Sequence, residues 1–472
     1  MTHTPTDQPI DPDRTPDLLR SSIDAAFPRI VGQLSELVAI RGIAWEAFDA
    51  QELEASAAAV ADLVRGVGIE DVRILRVDNE GTPGGPAVVA RRPAAAGRPT
   101  VLLYAHHDVQ PPGDESLWES PPFEATERDG RLYGRGAADD KAGIMAHIGA
   151  FGALSEVLGD SFGVGVTLFI EGEEEAGSPT FRTFLDTYRD DLEADVIVVA
   201  DSSNWRVGVP ALTTSLRGLV DGTIEVRVLE HAVHSGMFGG PVLDAPTLLA
   251  RLIATLHDDA GDVAIAGLAG RDDAAVDYPE QDYRSDASVL DGVQLAGTGS
   301  IASRLWHKPA LSIIGMDIPS VAVSSNTLLP RARAKFSLRL APGQDPGAAM
   351  AAVRAHVEAQ APFGAQVLFE PGETGSPFRT DTTEPASRLA LESLKEAWGV
   401  EAVEAGMGGS IPFIADLTEV FPSAQILITG VEDPDSRAHS ANESLHLEEF
   451  KKAILAEAIL LARIDDGGLT RQ

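Results

Sequence analysis

Thr100-Val101-Leu102-Leu103-Tyr104-Ala105-His106-His107-Asp108 is the stretch on which the fold turns. Its first six residues suit a strand buried on both faces of a sheet. Two histidines and an aspartate follow where such a strand would end. Residues two apart on an extended chain face the same side, so His106 and Asp108 can point together into the crevice at the strand end. There an imidazole can ligate a metal while a carboxylate fixes its orientation. A surface loop of adjacent polar residues explains the same three positions.

Reading outward, residues 17–42 and 50–67 are predicted helices; the first places Leu18, Leu19, Ile23, Phe27, Ile30, Leu34 and Leu37 at helical spacing. Pro28 predicts a kink or a division there. Strands are expected at 72–77, 86–91, 100–105, 164–170 and 196–200, with helices at 140–157 and 178–189. This alternation implies an α/β layer with a mostly parallel sheet, whose ligands gather at the carboxyl ends of the strands.

The pattern changes after Pro210. Residues 212–229 read as one long strand and 241–257 as a helix, followed by an irregular acidic stretch over 258–300. Strands at 310–315, 331–341 and 365–370 and a helix at 345–360 then fit a smaller α+β domain of two β-α-β units. A helix at 385–398, a strand at 425–429 and a final helix at 447–464 return to the first pattern. The expected organisation is a catalytic domain at 17–211 and 378–472, interrupted by an inserted domain at 212–377.

Composition narrows the chemistry. The 472 residues exceed one ordinary core, and 44% are hydrophobic. The chain has no cysteine, which excludes disulfides, cysteine-ligated zinc and a thiol nucleophile. Its 72 acidic residues against 37 basic ones leave a net charge of -35. Such a surface repels nucleic acid and anionic membranes, and describes a solvated acidic protein. No apolar run approaches the roughly 20 residues needed to span a bilayer. The opening residues are polar, with Pro5, Pro9, Pro12 and Pro16, and resemble no signal peptide. A flexible tail of about 15 residues and a cytoplasmic location are therefore expected.

Four further clusters sit at predicted strand ends or helix starts. Gly134-Arg135-Gly136-Ala137-Ala138-Asp139-Asp140-Lys141 places Asp139 at a helix entrance, where a simple N-cap is the competing explanation. It lacks the spacing of a nucleotide loop. Glu171-Gly172-Glu173-Glu174-Glu175-Ala176-Gly177-Ser178 crowds four carboxylates that repel one another unless a cation is near. Asp201 follows an apolar strand, and Ala438-His439-Ser440-Ala441-Asn442-Glu443 adds a second histidine. Each alone is weak. Together, two histidines and three carboxylates suit a pair of divalent ions sharing one carboxylate. Such a pair can activate water and polarise a carbonyl.

These motifs resemble the co-catalytic zinc metallopeptidase family of carnosine dipeptidase, cytosolic non-specific dipeptidase, glutamate carboxypeptidase, acetylornithine deacetylase and succinyl-diaminopimelate desuccinylase. The likeness runs from about residue 20 to 465. Val109-Gln110-Pro111, His234-Ser235-Gly236-Met237-Phe238-Gly239-Gly240 and Gly408-Gly409-Ser410-Ile411-Pro412 place it nearest the dipeptidase branch. The acidic stretch before Lys308-Pro309-Ala310-Leu311-Ser312 also looks like that branch's longer insertion. Ala105 and His107 depart from the glycine and the bulky residue common around the first ligand.

The resemblance implies a mixed, mostly parallel α/β sheet flanked by helices, with a ferredoxin-like inserted lid that forms a homodimer. It implies two divalent ions per subunit, zinc first and manganese or cobalt as alternatives. Asp139 would bridge them; His106 and Asp201 would complete one site, and Glu175 and His439 the other. Glu174 would be the general base, chosen over a Glu173-Glu174 pairing because Gly177 fits the family spacing. Asp108 would orient His106. His234, from a partner subunit, would stabilise the oxyanion. Thr327, Arg339, Ser410 and His439 would contact substrate, with Arg339 gripping a terminal carboxylate. The implied substrate is a dipeptide or short peptide. An N-acyl or N-carbamoyl amino acid is the alternative, and a silent binding protein is a third.

Overall fold

The computed structural model describes residues 14–79, 81–409 and 412–469. The first 13 residues, where a tail is expected, lie outside the described residues, and Thr15 already opens the first helix. Among the described residues no helix is long and apolar enough to cross a membrane.

By contacts the chain divides into two compact units. The larger comprises residues 1–214, 380–405 and 416–472; the smaller comprises 215–379 and 406–415. In chain order the larger unit begins with α1 (Thr15–Val38), α2 (Ala50–Gly66), β1 (Asp71–Leu75), β2 (Ala87–Arg92) and β3 (Thr100–His106). It continues with α3 (Lys141–Leu158), β4 (Gly165–Glu171), β5 (Val196–Val199) and β6 (Ala211–Leu216). The smaller unit holds β7 (Gly218–Arg227), α4 (Ala245–Ala254), β8 (Ala310–Asp317), β9 (Arg331–Leu340), α5 (Pro346–Ala359) and β10 (Gln366–Gly375). The larger unit resumes with α6 (Pro385–Trp398), β11 (Gln425–Ile428) and α7 (Leu447–Arg463).

The large sheet runs β1-β2-β4-β3-β5-β11-β6, and the short strands Phe378–Arg379 and Val403–Met407 also pair with β6. β4, β3, β5 and β11 are parallel neighbours, whereas β1, β2 and β6 join antiparallel. The sheet is thus mixed, and parallel only at its centre. Among the described residues the link from β1 to β2 holds no crossover helix, which a parallel pair would need. The central parallel strands are continuous apolar runs because both faces are covered: every residue of β4 and β5 is buried. α1, α3, α6 and α7 contribute to one hydrophobic cluster with strand side chains such as Val101, Leu103, Val166 and Val198. The parallel register places His106 beside Glu171 and Tyr104 beside Val199, so the carboxyl ends of three strands converge.

Two helices and one strand differ from expectation. α1 stays one continuous helix through Pro28. The helix expected at 178–189 begins only at Phe181, because Gly177 and Ser178 both adopt positive φ, and it breaks at Tyr188. The long strand expected at 212–229 is two strands in different sheets. Arg217 leaves the ladder, its amide bonding to Met407 O at 3.3 Å. Gly218 then passes so near its neighbour that a Cβ would lie 2.6 Å from Gly375 O.

The smaller unit is a four-stranded antiparallel sheet in the order β8-β9-β7-β10. Its core packs Val220, Ile224, Phe336 and Leu338 with Leu249 of α4 and Val353 of α5. The acidic 258–300 stretch is mostly irregular, with one short helix at Glu280–Asp286. Its carboxylates replace a regular ladder: Asp262 accepts the Thr298 amide at 3.0 Å and Asp272 the Ser300 amide at 3.0 Å.

Candidate metal centre

His106 is the last residue of β3 and is fully buried. Its backbone amide donates to Asp140 Oδ2 at 3.1 Å. Asp140 lies at the start of α3, and only a glycine fits beside it: a Cβ on Gly143 would stand 2.1 Å from Asp140 Oδ1. Strand alternation turns His107 the other way, where its Nε2 meets Pro86 O at 2.7 Å. Burial pushes the His107 ring down to about 4, so it stays neutral.

The glutamate run separates by partner. Tyr104 OH donates to Glu171 Oε2 at 2.6 Å, and burial pushes Glu171 up to about 8. Glu173 accepts the Thr180 amide at 2.8 Å and the Gly85 amide at 2.7 Å. Both carboxyls bond to protein donors and stand outside the ligand groups. Glu174 and Glu175 lie on the turn at Glu174–Ala176 and face the strand ends instead. Gln110 holds Glu175 from both sides, through its amide at 3.1 Å and its Nε2 at 2.6 Å.

Asp108 has a wider role than orienting a ring. Its two carboxylate oxygens accept the amides of Glu174 at 3.1 Å and Glu175 at 3.0 Å. His106 Nδ1 lies 3.1 Å from the Asp108 carbonyl and 3.5 Å from its carboxylate. Asp108 therefore ties the strand end to the glutamate turn.

Two groups of possible ligand atoms emerge: His106 with Glu174 and Asp201, and Asp139 with Glu175 and His439. Within each, the atoms lie within 4.8 Å of one another. Asp139 touches both histidines, with Oδ1 3.2 Å from His106 Nε2 and Oδ2 3.0 Å from His439 Nε2. His439 Nε2 is also 3.1 Å from Glu175 Oε2.

The electrostatics of this cluster fit cations. Burial and then neighbouring carboxylates lift Asp201 to about 6 and raise Glu174 well above the usual range. Asp139 and Glu175 hold the His439 proton up to about 10. Among the described residues His106 Nε2 is buried with no hydrogen-bond partner despite its nearness to Asp139. An orphaned imidazole nitrogen among mutually repelling carboxylates is a donor set for divalent ions.

The remaining expected residues belong to the smaller unit. His234 pairs with Thr327 in a two-residue antiparallel ladder and is exposed. Arg339 lies on β9 opposite Leu219 and Ala310. Ser410 lies outside the described residues. Asp140 and Gln110 went unassigned by the sequence. Both stand in the quoted motifs, but nothing local shows that one grips the His106 amide and the other Glu175.

Residues 102–463 match Peptidase family M20/M25/M40, and the chain belongs to that family. It is a metal-dependent peptidase of the family's dipeptidase branch. A cysteinylglycine-S-conjugate dipeptidase from Corynebacterium striatum is 35% identical over 438 residues, which is 92% of this chain and 95% of that protein. A Beta-Ala-His dipeptidase from Mus musculus is 28% identical, with 84% of each chain covered. Human carnosine dipeptidase 1 superposes with a TM-score of 0.73 at 25% identity, covering 96% of this chain and 99% of that one.

Proposed function

We propose that this chain hydrolyses dipeptides carrying a free C-terminal carboxylate, using two divalent metal ions, zinc first. The observation that carries the two-ion reading is Asp139, whose two oxygens separately approach His106 and His439. Asp139 would bridge, with His106 and Asp201 on one ion and Glu175 and His439 on the other. Bound ions of this kind lower the pKa of water and polarise the scissile carbonyl.

The chain's own residues supply the rest. Glu174 takes a proton from the attacking water and returns it to the leaving amine. In the metal-free chain its proton affinity is raised by burial and then by neighbours such as Asp201. Asp108 and Gln110 hold the glutamate turn in place. Arg339 would bind the substrate carboxylate, and Thr327 and Ser410 would also contact substrate. Buried Arg217 supports an anion-seeking region in the same unit: burial and the Arg339 charge push its guanidinium down to about 10.

The working form is a homodimer through the smaller unit, in which the partner subunit's His234 stabilises the oxyanion. Exposed Ile314, Met316, Val321 and Val323, on or next to edge strand β8, support that interface. The dipeptidase names of its relatives favour dipeptides over N-acyl amino acids.

A panel of Cys-Gly, β-Ala-His, simple dipeptides and their N-acetyl forms tests this on zinc-loaded protein. Turnover of free dipeptides is expected; a panel in which only N-acyl compounds react would refute it. Mixing His234→Ala with Glu174→Ala protein should restore activity, and a one-chain mass in solution would sink the shared site.

A further inference from the structure

Glu443 and Arg135 are both buried in the larger unit and belong to no ligand group. Glu443 Oε2 accepts Arg135 Nη1 at 2.6 Å. Its other oxygen accepts two consecutive amides, those of Ala138 at 3.0 Å and Asp139 at 3.1 Å. The Gly134 amide in turn donates to the Glu443 carbonyl at 3.0 Å. Arg135 Nη2 reaches the carbonyls of Pro111 and Ser440, each at 3.4 Å. One ion pair thus joins the loop that presents Asp139 to the loop that presents His439, and touches the segment after Asp108.

The second loop needs such a hold. Arg437, His439 and Asn442 all adopt positive φ, of 56, 62 and 63 degrees, without being glycine. That conformation is unfavourable for residues with a Cβ and persists only where surroundings impose it. Asn442 anchors the loop on one side, accepting the Glu119 amide at 2.8 Å and donating to Leu117 O at 3.0 Å. Glu443, the next residue, fastens it to the Asp139 backbone.

We infer that Glu443 and Arg135 are positioning residues that set the spacing of Asp139 against His439, and so the affinity of the centre for its cations. The inference rests on the metal-binding reading above. Partners behind metal ligands typically change metal affinity by about 10–100-fold when removed.

The test uses the full chain, Glu443→Gln, and the double variant Arg135→Met/Glu443→Gln, which leaves no unpaired buried charge. Zinc alone is titrated into each metal-free protein against a chromophoric chelator, with far-UV circular dichroism confirming the fold. Both variants should bind zinc about 10–100-fold more weakly. At saturating zinc, the KM for a dipeptide should stay within about twofold of wild type. Zinc affinity within about threefold of wild type in either folded variant would overturn the inference. So would failure of both variants to fold, which would make the pair a requirement of the core. A wild-type chain that takes up no zinc overturns the metal reading itself, and this inference with it.

Discussion

Replacing Asp108 with asparagine separates two roles for that side chain. Asp108 is fully buried, and its oxygens receive the Glu174 and Glu175 amides at 3.1 and 3.0 Å. Hydrogen bonds to a charged acceptor contribute about 1.5–3 kcal/mol each. Asparagine keeps one acceptor and sets an NH2 against the other amide. One bond is lost and a buried N–H is left facing a donor, a combined cost of about 2–4 kcal/mol. If that cost falls on the placement of the glutamate turn, kcat falls by about 30- to 1000-fold, at 1.36 kcal/mol per factor of ten. The loss should persist at saturating zinc, because Glu174 stays displaced when the ions are bound. If Asp108 acted chiefly by aiming His106, the variant would bind metal poorly and excess zinc would restore it. Steady-state kinetics on a dipeptide across a zinc series decides between them. A kcat within about threefold of wild type, or full rescue by zinc, refutes the argument.

Three further outcomes are expected. Glu174→Gln should retain its metal by elemental analysis yet lose about 10²–10⁴-fold in kcat; a fully active variant would remove Glu174 as the base. Exhaustive chelation should abolish activity, and back-titration with zinc should saturate at two equivalents per chain; saturation at one would refute the bridged pair. His147 is buried against Glu457, with Nδ1–Oε2 at 2.8 Å. Burial alone would lower its pKa, but the Glu457 charge and hydrogen bond carry it above 6.5. A raised folded pKa contributes stability that is full below about pH 6.5 and fades as pH rises through the folded value. Breaking such a pair costs about 3–5 kcal/mol, so His147→Leu should lose more stability by urea denaturation at pH 6 than at pH 9. Equal losses at both pH values would contradict the linkage.

The central sheet was legible because burial on both faces leaves a plain record. The apolar runs of β3, β4 and β5 left few alternatives to strand, and the polar residues at their ends marked the crevice. Alternation also sorted His106 from His107. What the sequence could not show was decided at a distance. The break at Arg217 depends on Met407, nearly two hundred residues later, and on the close pass of Gly218 by Gly375. The antiparallel flanks of the large sheet depend on which strands find each other, a matter on which hydrophobic pattern is silent. Helix starts slipped where Gly177 and Ser178 took positive φ, and serine gives little warning of that.

The same limit governs the acids, and it explains why charge density alone marks no site here. Glu171, Glu173, Glu174 and Glu175 are chemically one residue type within five positions, yet they divide into two fates. Glu173 receives the amides of Thr180 and Gly85, Glu171 receives a phenol on one oxygen, and neither belongs to a ligand group. Asp108 and Glu443 join them, each spanning two successive amides. Asp139, Glu174, Glu175 and Asp201 instead meet histidines and one another. A buried carboxylate without enough N–H donors must be protonated or must face a cation. In the metal-free chain, burial raises the proton affinity of Glu174 well above the usual carboxylate range. A divalent ion satisfies several such groups at once. The acids tied to backbone amides build the frame; Asp139, Glu174 and Asp201, with Glu175 held by Gln110, are the candidates it leaves to hold metal.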